Sequence, residues 1–266
     1  CPSGAFFKFE SHFALGRLDM IVGLARGELQ WTDGLVQSLY SCCTCGACSE
    51  ICDFMEEINP AGTELTMEKP LRPLDVIEEF KRVGITEGAG PTPALKAMAE
   101  SVEKVNNMYN APHEKRLAWW PKEIKRPPEK ADLMYFVGCT SSYRQQSIAR
   151  STVGILNKLG VEFGVNPDEA CGNQLFRWGQ RGVGLKTLRK AVETMEKAEA
   201  QVVFTGCAEC YRALKLEAPK NGLEVPFEVV HTMDILKDKK KELQSLFKRE
   251  MKEKVTYHDP CNLGRH

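Results

Sequence analysis

The chain has 266 residues, enough for about two domains. Its 36 basic and 36 acidic residues balance, so it has no electrostatic footprint for nucleic acid or an anionic membrane, and no apolar run approaches the roughly 20 residues that span a bilayer. Eleven cysteines in an otherwise ordinary composition, without a secretory signal, indicate cofactor ligation in a reducing compartment. We therefore predict a cytoplasmic location, with any membrane association made through a partner.

The first predicted elements are helical and separate two cysteine signals. Residues 7–29 are apolar-rich and free of proline, and residues 34–40 form a second apolar stretch, so both are predicted to be helices. They lie between Cys1-Pro2 and the motif Cys42-x2-Cys45-x2-Cys48-x3-Cys52. The 2-2-3 spacing is typical of bacterial-type [4Fe–4S] sites, in which three thiolates on a tight loop bind one cluster and a distant thiolate completes the set.

Cys1-Pro2 has the form of the end of an earlier cysteine run, because in two-cluster ferredoxins the fourth cysteine ligates the other cluster and precedes proline. The predicted ligands of one cluster are Cys1, Cys42, Cys45 and Cys48. Cys52 is predicted to serve a second cluster whose other ligands precede residue 1, although Asp53 replaces the proline expected after it. Cys43 does not fit the register and is interpreted as a bystander. The chain is accordingly expected to be part of a larger redox protein.

Two other roles for these cysteines compete with cluster binding. Disulfides are disfavoured, because three cysteines at every third position cannot all pair without strain. Structural zinc is the stronger alternative, since Cys-x2-Cys pairs bind zinc in many proteins. The 2-2-3 spacing is nevertheless more specific to iron–sulfur sites.

Residues 70–110 are predicted to be helical. One helix begins near Leu74 and stops near Gly84, and another begins at Thr92-Pro93 and carries an apolar stripe that ends at Met108. Residues 111–131 are rich in proline, tryptophan and charge, so we predict a linker that lies over the neighbouring domains through its tryptophans.

From Ala131 onward, short apolar runs alternate with amphipathic segments. The predicted strands are 133–137, 161–165, 201–205, 227–230 and 255–258. The predicted helices are 145–159, 183–199 and 237–252. This alternation indicates α/β layers with a largely parallel sheet, in which ligands bind beyond the carboxyl ends of the strands. Cys139, Cys207 and Cys261 each follow a predicted strand, at that edge.

A second cysteine group lies in this part of the chain, in the pattern Cys139-x31-Cys171-Gly-x34-Cys207-x2-Cys210. The pattern resembles the cysteine-rich CCG domain of heterodisulfide reductase catalytic subunits, a family also seen in iron–sulfur subunits of glycolate oxidase and anaerobic glycerol-phosphate dehydrogenase. Residues 135–144, 173–180 and 205–211 are also similar to that family. The resemblance spans nearly the whole chain, from the ferredoxin part and the linker to the CCG domain.

One departure from the family pattern concerns the middle motif, where Ala170-Cys171-Gly172 stands in place of Cys-Cys-Gly. The family implies five cysteines around a noncubane [4Fe–4S] cluster, and four are present in this pattern. Four thiolates suit an ordinary cubane, so this group is predicted to hold an electron-relay cluster. The predicted ligands of that cluster are Cys139, Cys171, Cys207 and Cys210. Loss of the cluster, or a zinc ion on these cysteines, stays open as an alternative.

Residues 257–266 resemble the start of a second CCG domain, with Cys261 as its first cysteine. The family implies a noncubane catalytic cluster in that domain, with its remaining ligands beyond residue 266. The predicted fold class is α+β and multidomain, with an α-helical two-cluster ferredoxin domain followed by an α/β CCG domain with parallel-sheet layers. The predicted domains are 1–62 (ferredoxin-like, its N-terminal part missing), 63–131 (helical segment and linker), 132–254 (first CCG domain) and 255–266 (start of the second).

The resemblance implies an iron–sulfur electron-transfer subunit of a heterodisulfide reductase-like oxidoreductase, which relays electrons through [4Fe–4S] clusters toward a disulfide-reducing site in the second CCG domain. Its expected partners are other redox subunits that carry flavin, iron–sulfur clusters or a membrane cytochrome. Two alternatives stay open. One is a relay that links a dehydrogenase or acyl-CoA reductase to a quinone, flavin or ferredoxin pool. The other is a zinc-stabilised module that moves no electrons.

Overall fold

The computed structural model describes residues 1–52, 72–167, 170–250 and 252–265. The chain divides into two compact units, which we call unit 1 and unit 2. Unit 1 comprises residues 1–97, 174–181 and 265–266, and unit 2 comprises residues 98–173 and 182–264. Helices and a small parallel sheet make up the described residues, so the predicted α+β class is confirmed at that level. The predicted domain boundaries stay predictions, and residues 53–71 lie outside the described ranges.

Unit 1 contains the helices α1 Pro2–Phe7, α2 Ala14–Ala25, α3 Asp33–Tyr40, α4 Ala47–Ile51 and α5 Pro73–Thr86. α3 begins where the Thr32 hydroxyl accepts a hydrogen bond from the Leu35 amide at 3.3 Å, which satisfies one of the free amides of its first turn. α5 begins with Pro73, whose fixed φ suits the first helical position. The buried apolar core of this unit is formed by Ile21, Leu35, Leu39 and Ile77.

The single helix predicted over residues 7–29 is broken into shorter pieces. α1 ends at Lys8, which adopts a left-handed φ of 61°, and a 3-10 turn at Glu10–His12 follows. That turn lies so close to α2 that a Cβ at Gly16 would overlap the Glu10 carbonyl. Apolar composition did not predict this break in the helix, because the break involves a close backbone approach that only a glycine allows.

Unit 2 is built on a three-stranded parallel sheet in the order β1 Leu133–Tyr135, β2 Val202–Thr205 and β3 Glu228–His231. Leu133 pairs with Val202, which in turn pairs with Glu228. Three of the predicted strands are therefore confirmed. Tyr135, Val203, Phe204 and Val229 are buried in these strands, as expected for a parallel sheet covered on both faces.

Two other predicted strands are not formed as predicted. Within 161–165 only Gly164 makes an isolated parallel bridge, to Met134, so this segment lies beside β1 without extending the sheet. Residues 255–258 form no strand, and the side chains of Val255 and Tyr257 are 74% and 75% exposed. A strand needs a hydrogen-bonded neighbour, and the apolar alternation here has none among the described residues.

The remaining helices are α6 Pro93–Val105, α7 Cys139–Tyr143, α8 Gln146–Lys158, α9 Asn173–Arg177, α10 Arg181–Lys197, α11 Ala208–Arg212, α12 Ala218–Lys220, α13 Thr232–Asp238, α14 Lys240–Ser245 and α15 Cys261–Gly264. A 3-10 turn spans His113–Lys115 and a π-helical turn spans Ala213–Glu217. α8 and α10 confirm the helices predicted at 145–159 and 183–199. Of the helix predicted at 237–252, residues 237–238 belong to α13 and 240–245 to α14, residues 246–250 are not helical, and residue 251 lies outside the described ranges. No helix in the described ranges is both long and apolar enough to cross a bilayer.

The core of unit 2 is aromatic. Tyr135 and Phe204 stack with ring centroids 4.8 Å apart, and Phe163 meets Phe204 edge-on at 5.7 Å. Trp119 is 1% exposed and belongs to the same core. In the segment 111–131, predicted to be a linker held by its tryptophans, Trp119 thus packs into the interior of unit 2, since a buried tryptophan removes a large apolar surface from water.

Phe204→Ala is expected to lower the free energy of unfolding by about 3–5 kcal/mol, because it removes a fully buried ring and leaves a cavity between two aromatic partners. Chemical denaturation followed by tryptophan fluorescence measures this change. Phe247→Ala is the control, since Phe247 is 68% exposed and its loss should change stability by about 0.5 kcal/mol or less. Equal losses in both variants would contradict the central role of Phe204.

Candidate functional site

One cavity in unit 1 collects the cysteines that the sequence singled out. Its volume is about 400 Å³. The thiols that line it are those of Cys1, Cys42, Cys43, Cys45, Cys48 and Cys52. All are free thiols, and Cys42, Cys45 and Cys48 are half-buried. The predicted ligands of the ferredoxin-type site are thus brought together, and so is Cys43, which the sequence register left as a bystander.

Local backbone geometry turns the cysteine motif around this cavity. Cys42 lies just after the end of α3, and Cys48 lies within α4. Between them, Thr44 and Gly46 adopt left-handed φ angles of 49° and 74°. Two left-handed residues in so short a loop curl the backbone tightly, so the thiols of the motif line one side of the cavity. Cys52 follows at the end of α4.

The opposite wall of the cavity combines apolar side chains with a buried cation. Leu74 and Ile77 of α5 line it at 2% and 0% exposure. Arg17 of α2 also lines it and is itself 0% exposed. Its guanidinium donates to Ser3 Oγ at 3.0 Å and to Ser41 Oγ at 2.8 Å. A positive charge fixed against a thiol-lined cavity is suited to hold a negatively charged group there.

The electrostatics of the cavity oppose ionisation of several thiols at once. Burial raises the pKa of the Cys48 thiol, and the neighbouring Cys42 raises it further. Cys43 behaves similarly, because burial and then the charge of Cys45 raise its pKa. Burial lowers the pKa of Arg17, whereas Cys42, Cys43 and Cys48 act in the opposite direction and favour its charged form. Ionised thiols beside Arg17 therefore favour its charged form.

A second group of cysteines lies in unit 2, at the carboxyl ends of two strands. Cys139 follows β1 through Gly138, and Cys207 follows β2 through Gly206. Cys210 lies one helical turn beyond Cys207, on α11, and is 2% exposed. The strand-end placement agrees with the sequence-based expectation, since adjacent parallel strands end at the same edge of a sheet.

The thiols of this second group contact one another. Cys210 hydrogen-bonds to the thiols of Cys171 and Cys207, and these bonds together with burial raise its pKa well above its usual value. The same contact lowers the pKa of Cys207, because its sulfur receives the hydrogen bond from Cys210. Gly138 lies directly over this cluster, and a Cβ added there would be 3.0 Å from Cys210 Sγ. Cys139, the residue after Gly138, is thereby held at the edge of the group.

Polar side chains surround the second group. The guanidinium of Arg116 is 3.6 Å from Cys139 Sγ. Ser142 Oγ and Asn173 Nδ2 are buried and find no hydrogen-bond partner among the described residues. These residues lie close in sequence to Cys139 and Cys171. Buried donors without protein partners suit a site whose acceptors come from a bound group, such as the sulfur atoms of a cluster.

Cys261 also lies in unit 2. It begins α15, which packs against α11, the helix that carries Cys210. The sequence predicted Cys261 to open a separate site, and its thiol is half-buried. The observed packing gives it a position beside the second cysteine group, while its predicted role as a ligand stays a prediction.

No three His, Cys, Asp or Glu side chains in the described ranges are positioned to hold one metal ion. In unit 1 the thiols instead enclose a space large enough for a cofactor of several atoms. Four thiolates around such a space are the donor set that iron–sulfur clusters use, so the residues present fit that group.

Sequence reasoning missed the buried cations. Arg17 and Lys81 are buried in unit 1, and neither was among the predicted site residues. The burial of Arg17 could have been predicted from the sequence, because Arg17 is four residues before Ile21 and so lies on the same, buried face of α2. A lone arginine on an apolar helical face indicates a buried partner of opposite charge.

Comparison with known proteins agrees with this chemistry. Residues 133–215 match the family model of the CCG cysteine-rich domain. A subunit of dihydromethanophenazine:CoB–CoM heterodisulfide reductase from Methanosarcina barkeri is 34% identical over 234 residues, which cover 86% of this chain and 53% of that protein. The chain thus spans about half the length of the heterodisulfide reductase subunits that it matches.

More distant relatives are named as parts of other oxidoreductases. A subunit of fumarate reductase (CoM/CoB) from Methanothermobacter marburgensis is 26% identical over 237 residues, which cover 87% of this chain and 42% of that protein. The EtfAB:quinone oxidoreductase of Syntrophomonas wolfei is 26% identical over 242 residues, which cover 86% of this chain and 32% of that protein. No solved structure matches the chain. Together with relatives named as iron–sulfur proteins, these matches support iron–sulfur binding.

Gly138→Ala is expected to lower the free energy of unfolding by about 1–3 kcal/mol, because φ 79° and ψ 156° lie in a region that only glycine adopts readily. The added Cβ would also press on Cys210 Sγ. Gly154→Ala is the matched control, since it lies inside α8 with open space around its Cα and should be neutral or slightly stabilising. Denaturant titration compares the two, and equal stability would contradict the strained backbone at Gly138.

Proposed function

We propose that this chain, which belongs to the heterodisulfide reductase-like family of CCG-domain iron–sulfur proteins, relays electrons between redox subunits of a larger oxidoreductase. The observation that carries the proposal is the thiol-lined cavity of unit 1, with its buried cation. Bound iron–sulfur clusters supply reversible one-electron transfer, and their thiolate ligands and surroundings set the potential. The protein's own contribution is to hold the thiols together and to exclude water from one side of the cavity.

In unit 1 we assign one [4Fe–4S] cluster to Cys1, Cys42, Cys45 and Cys48. Support comes from the shared cavity and from the tight loop between α3 and α4. Cys52 lines the same cavity and is assigned to a second ferredoxin-type cluster. Arg265 donates from Nε to the Cys45 carbonyl at 2.9 Å, which stabilises the loop that presents these thiols.

In unit 2 we assign a cubane relay cluster to Cys139, Cys171, Cys207 and Cys210. Ala170 stands where the family pattern has a further cysteine, so the donor set is that of an ordinary cubane. The buried donors Ser142 Oγ and Asn173 Nδ2 would hydrogen-bond to its sulfur atoms, which stabilises added negative charge. We assign Cys261 to a separate disulfide-reducing site in a second CCG domain.

A second candidate function is supported by the names of the distant relatives. One of them is a quinone oxidoreductase and another belongs to a fumarate reductase. In that case the same relay joins a dehydrogenase to a quinone, flavin or ferredoxin pool, and no disulfide is reduced. The partners in either case are other redox subunits. A zinc-stabilised module is the remaining alternative, and metal analysis distinguishes it from both.

The test uses the full-length protein purified without oxygen. Iron, acid-labile sulfide and zinc are measured per chain, and low-temperature EPR spectra are recorded for the oxidised and the dithionite-reduced protein. We expect about eight or more irons per chain, with a reduced-state signal typical of cubane clusters. Zinc in place of iron would overturn the proposal. An oxidised-state signal that appears only with a thiol ligand would favour the disulfide-reducing function over the quinone-linked relay.

Two cysteine variants of the same loop test the ligand assignment. Cys45→Ser is expected to remove about four irons per chain and one reduced EPR component, because it takes a thiolate from the assigned cluster. Cys43→Ser is the control in the same cavity and should retain the full iron content. If Cys43→Ser lost iron and Cys45→Ser did not, the assigned register would be wrong.

A further inference from the structure

Arg17 is the most deeply buried charged side chain beside the thiol cavity. Its side chain is 0% exposed, although it lies on α2 in a protein with abundant charged surface. All of its hydrogen bonds are to neutral or sulfur groups: Ser3 Oγ, Ser41 Oγ, the Ser38 carbonyl at 2.8 Å and Cys1 Sγ at 3.8 Å. No carboxylate in the described ranges forms an ion pair with it. A buried guanidinium needs a counter-charge, and the charges that act on Arg17 are those of the thiols Cys42, Cys43 and Cys48.

Lys81 is a second buried cation in the same unit. It is 1% exposed, donates to the Arg177 carbonyl at 3.3 Å and lies 5.4 Å from the centre of the Tyr40 ring. Burial lowers its pKa, while the nearby charges of Cys42 and then Glu78 raise it. Glu78 already forms an ion pair with Arg177. Lys81 lies one helical turn after Ile77, which lines the cavity, so a second buried amine lies on the helix that forms this wall. One carboxylate, Glu78, acts on both Arg177 and Lys81.

We propose that Arg17, assisted by Lys81, is a positioning residue that raises the reduction potential of the unit 1 cluster by stabilising its reduced state. This inference rests on the proposed function, since it requires a cluster in the cavity. One electron from dithionite or from a redox partner enters the site, no bond is made or broken, and the enclosed charge becomes one unit more negative. A fixed positive charge beside the cavity, shielded from water, favours that change far more than an exposed one.

Arg17 also has a structural role that the experiment must separate from the electrostatic one. Its guanidinium joins α2 to the start of α1 and to the end of α3 through Ser3, Ser38 and Ser41. A purely structural arginine would affect stability and cluster assembly. It would leave the potential of an assembled cluster unchanged. The measured quantity is therefore the reduction potential, obtained by EPR-monitored titration with dithionite and mediators in the full-length protein.

Arg17→Gln is expected to make the unit 1 cluster harder to reduce. At the potential where the wild-type cluster is half reduced, the ratio of reduced to oxidised cluster should fall about tenfold or more, which is roughly 59 mV for one electron. Arg17→Lys keeps the charge and loses the branched hydrogen bonds, so it should restore most of the ratio. Arg26→Gln removes the same charge from the exposed end of the same helix and should change the ratio by less than about twofold.

Lys81→Gln keeps the test decisive if Arg17→Gln does not assemble a cluster, because it removes the other buried charge and should shift the ratio in the same direction. The inference is overturned if assembled clusters in Arg17→Gln or Lys81→Gln titrate like the wild type. It is also overturned if Arg17→Lys and Arg17→Gln shift equally. Failure of the proposed function looks different, since wild-type protein would then contain no iron and no cluster would exist to titrate.

Discussion

Six thiols around one cavity repel one another once they ionise, and this constraint organises unit 1. Burial and mutual charge raise the pKa of Cys43 and Cys48, so an empty cavity favours protonated thiols. Metal binding requires thiolates, hence compensating positive charge must come from the bound group and from the protein. In the site that we propose, Arg17 and Lys81 would supply the protein's share from buried positions. The turn between α1 and α2 and the caps of α3 then serve to keep that charge in place.

In unit 2 the cysteines are brought together by a different scaffold, the edge of a parallel sheet. Its thiols gather where parallel strands end, and hydrogen bonds among Cys171, Cys207 and Cys210 hold them in contact before any group binds. Positive φ at Gly138 lets the backbone pass directly over Cys210, which a side chain would prevent. The aromatic core around Phe204 fixes the strands that set this geometry. A rigid sheet edge thus replaces the helical loop of unit 1 as the frame for cysteine ligands.

The predicted elements agreed best with the structure where the local apolar pattern and the tertiary packing favour the same secondary structure. Short, mostly apolar runs predicted β1, β2 and β3 correctly, since a buried parallel strand has a largely apolar sequence. Residues 255–258 have a similar composition but no neighbouring strand among the described residues, so their prediction failed. The helix predicted over 7–29 failed for a related reason, because its break is produced by the contact between Glu10 and Gly16.

The sequence by itself predicted two separate groups of cysteines, because ligand spacing within a loop and placement after strands are local properties of the chain. It did not predict that Cys43 lines the same cavity as Cys42 and Cys45. The sequence also shows that Ala170 stands where the family pattern has a cysteine, which leaves four thiols as possible ligands in that group. Only the tertiary structure decided which charges face the thiols. Arg17 lines the cavity and donates to Ser41 Oγ, while Lys81 lies one turn after the cavity-lining Ile77, and these placements depend on how α2, α3 and α5 pack. Such packing is set by many weak apolar contacts at long sequence separation, which no local pattern encodes.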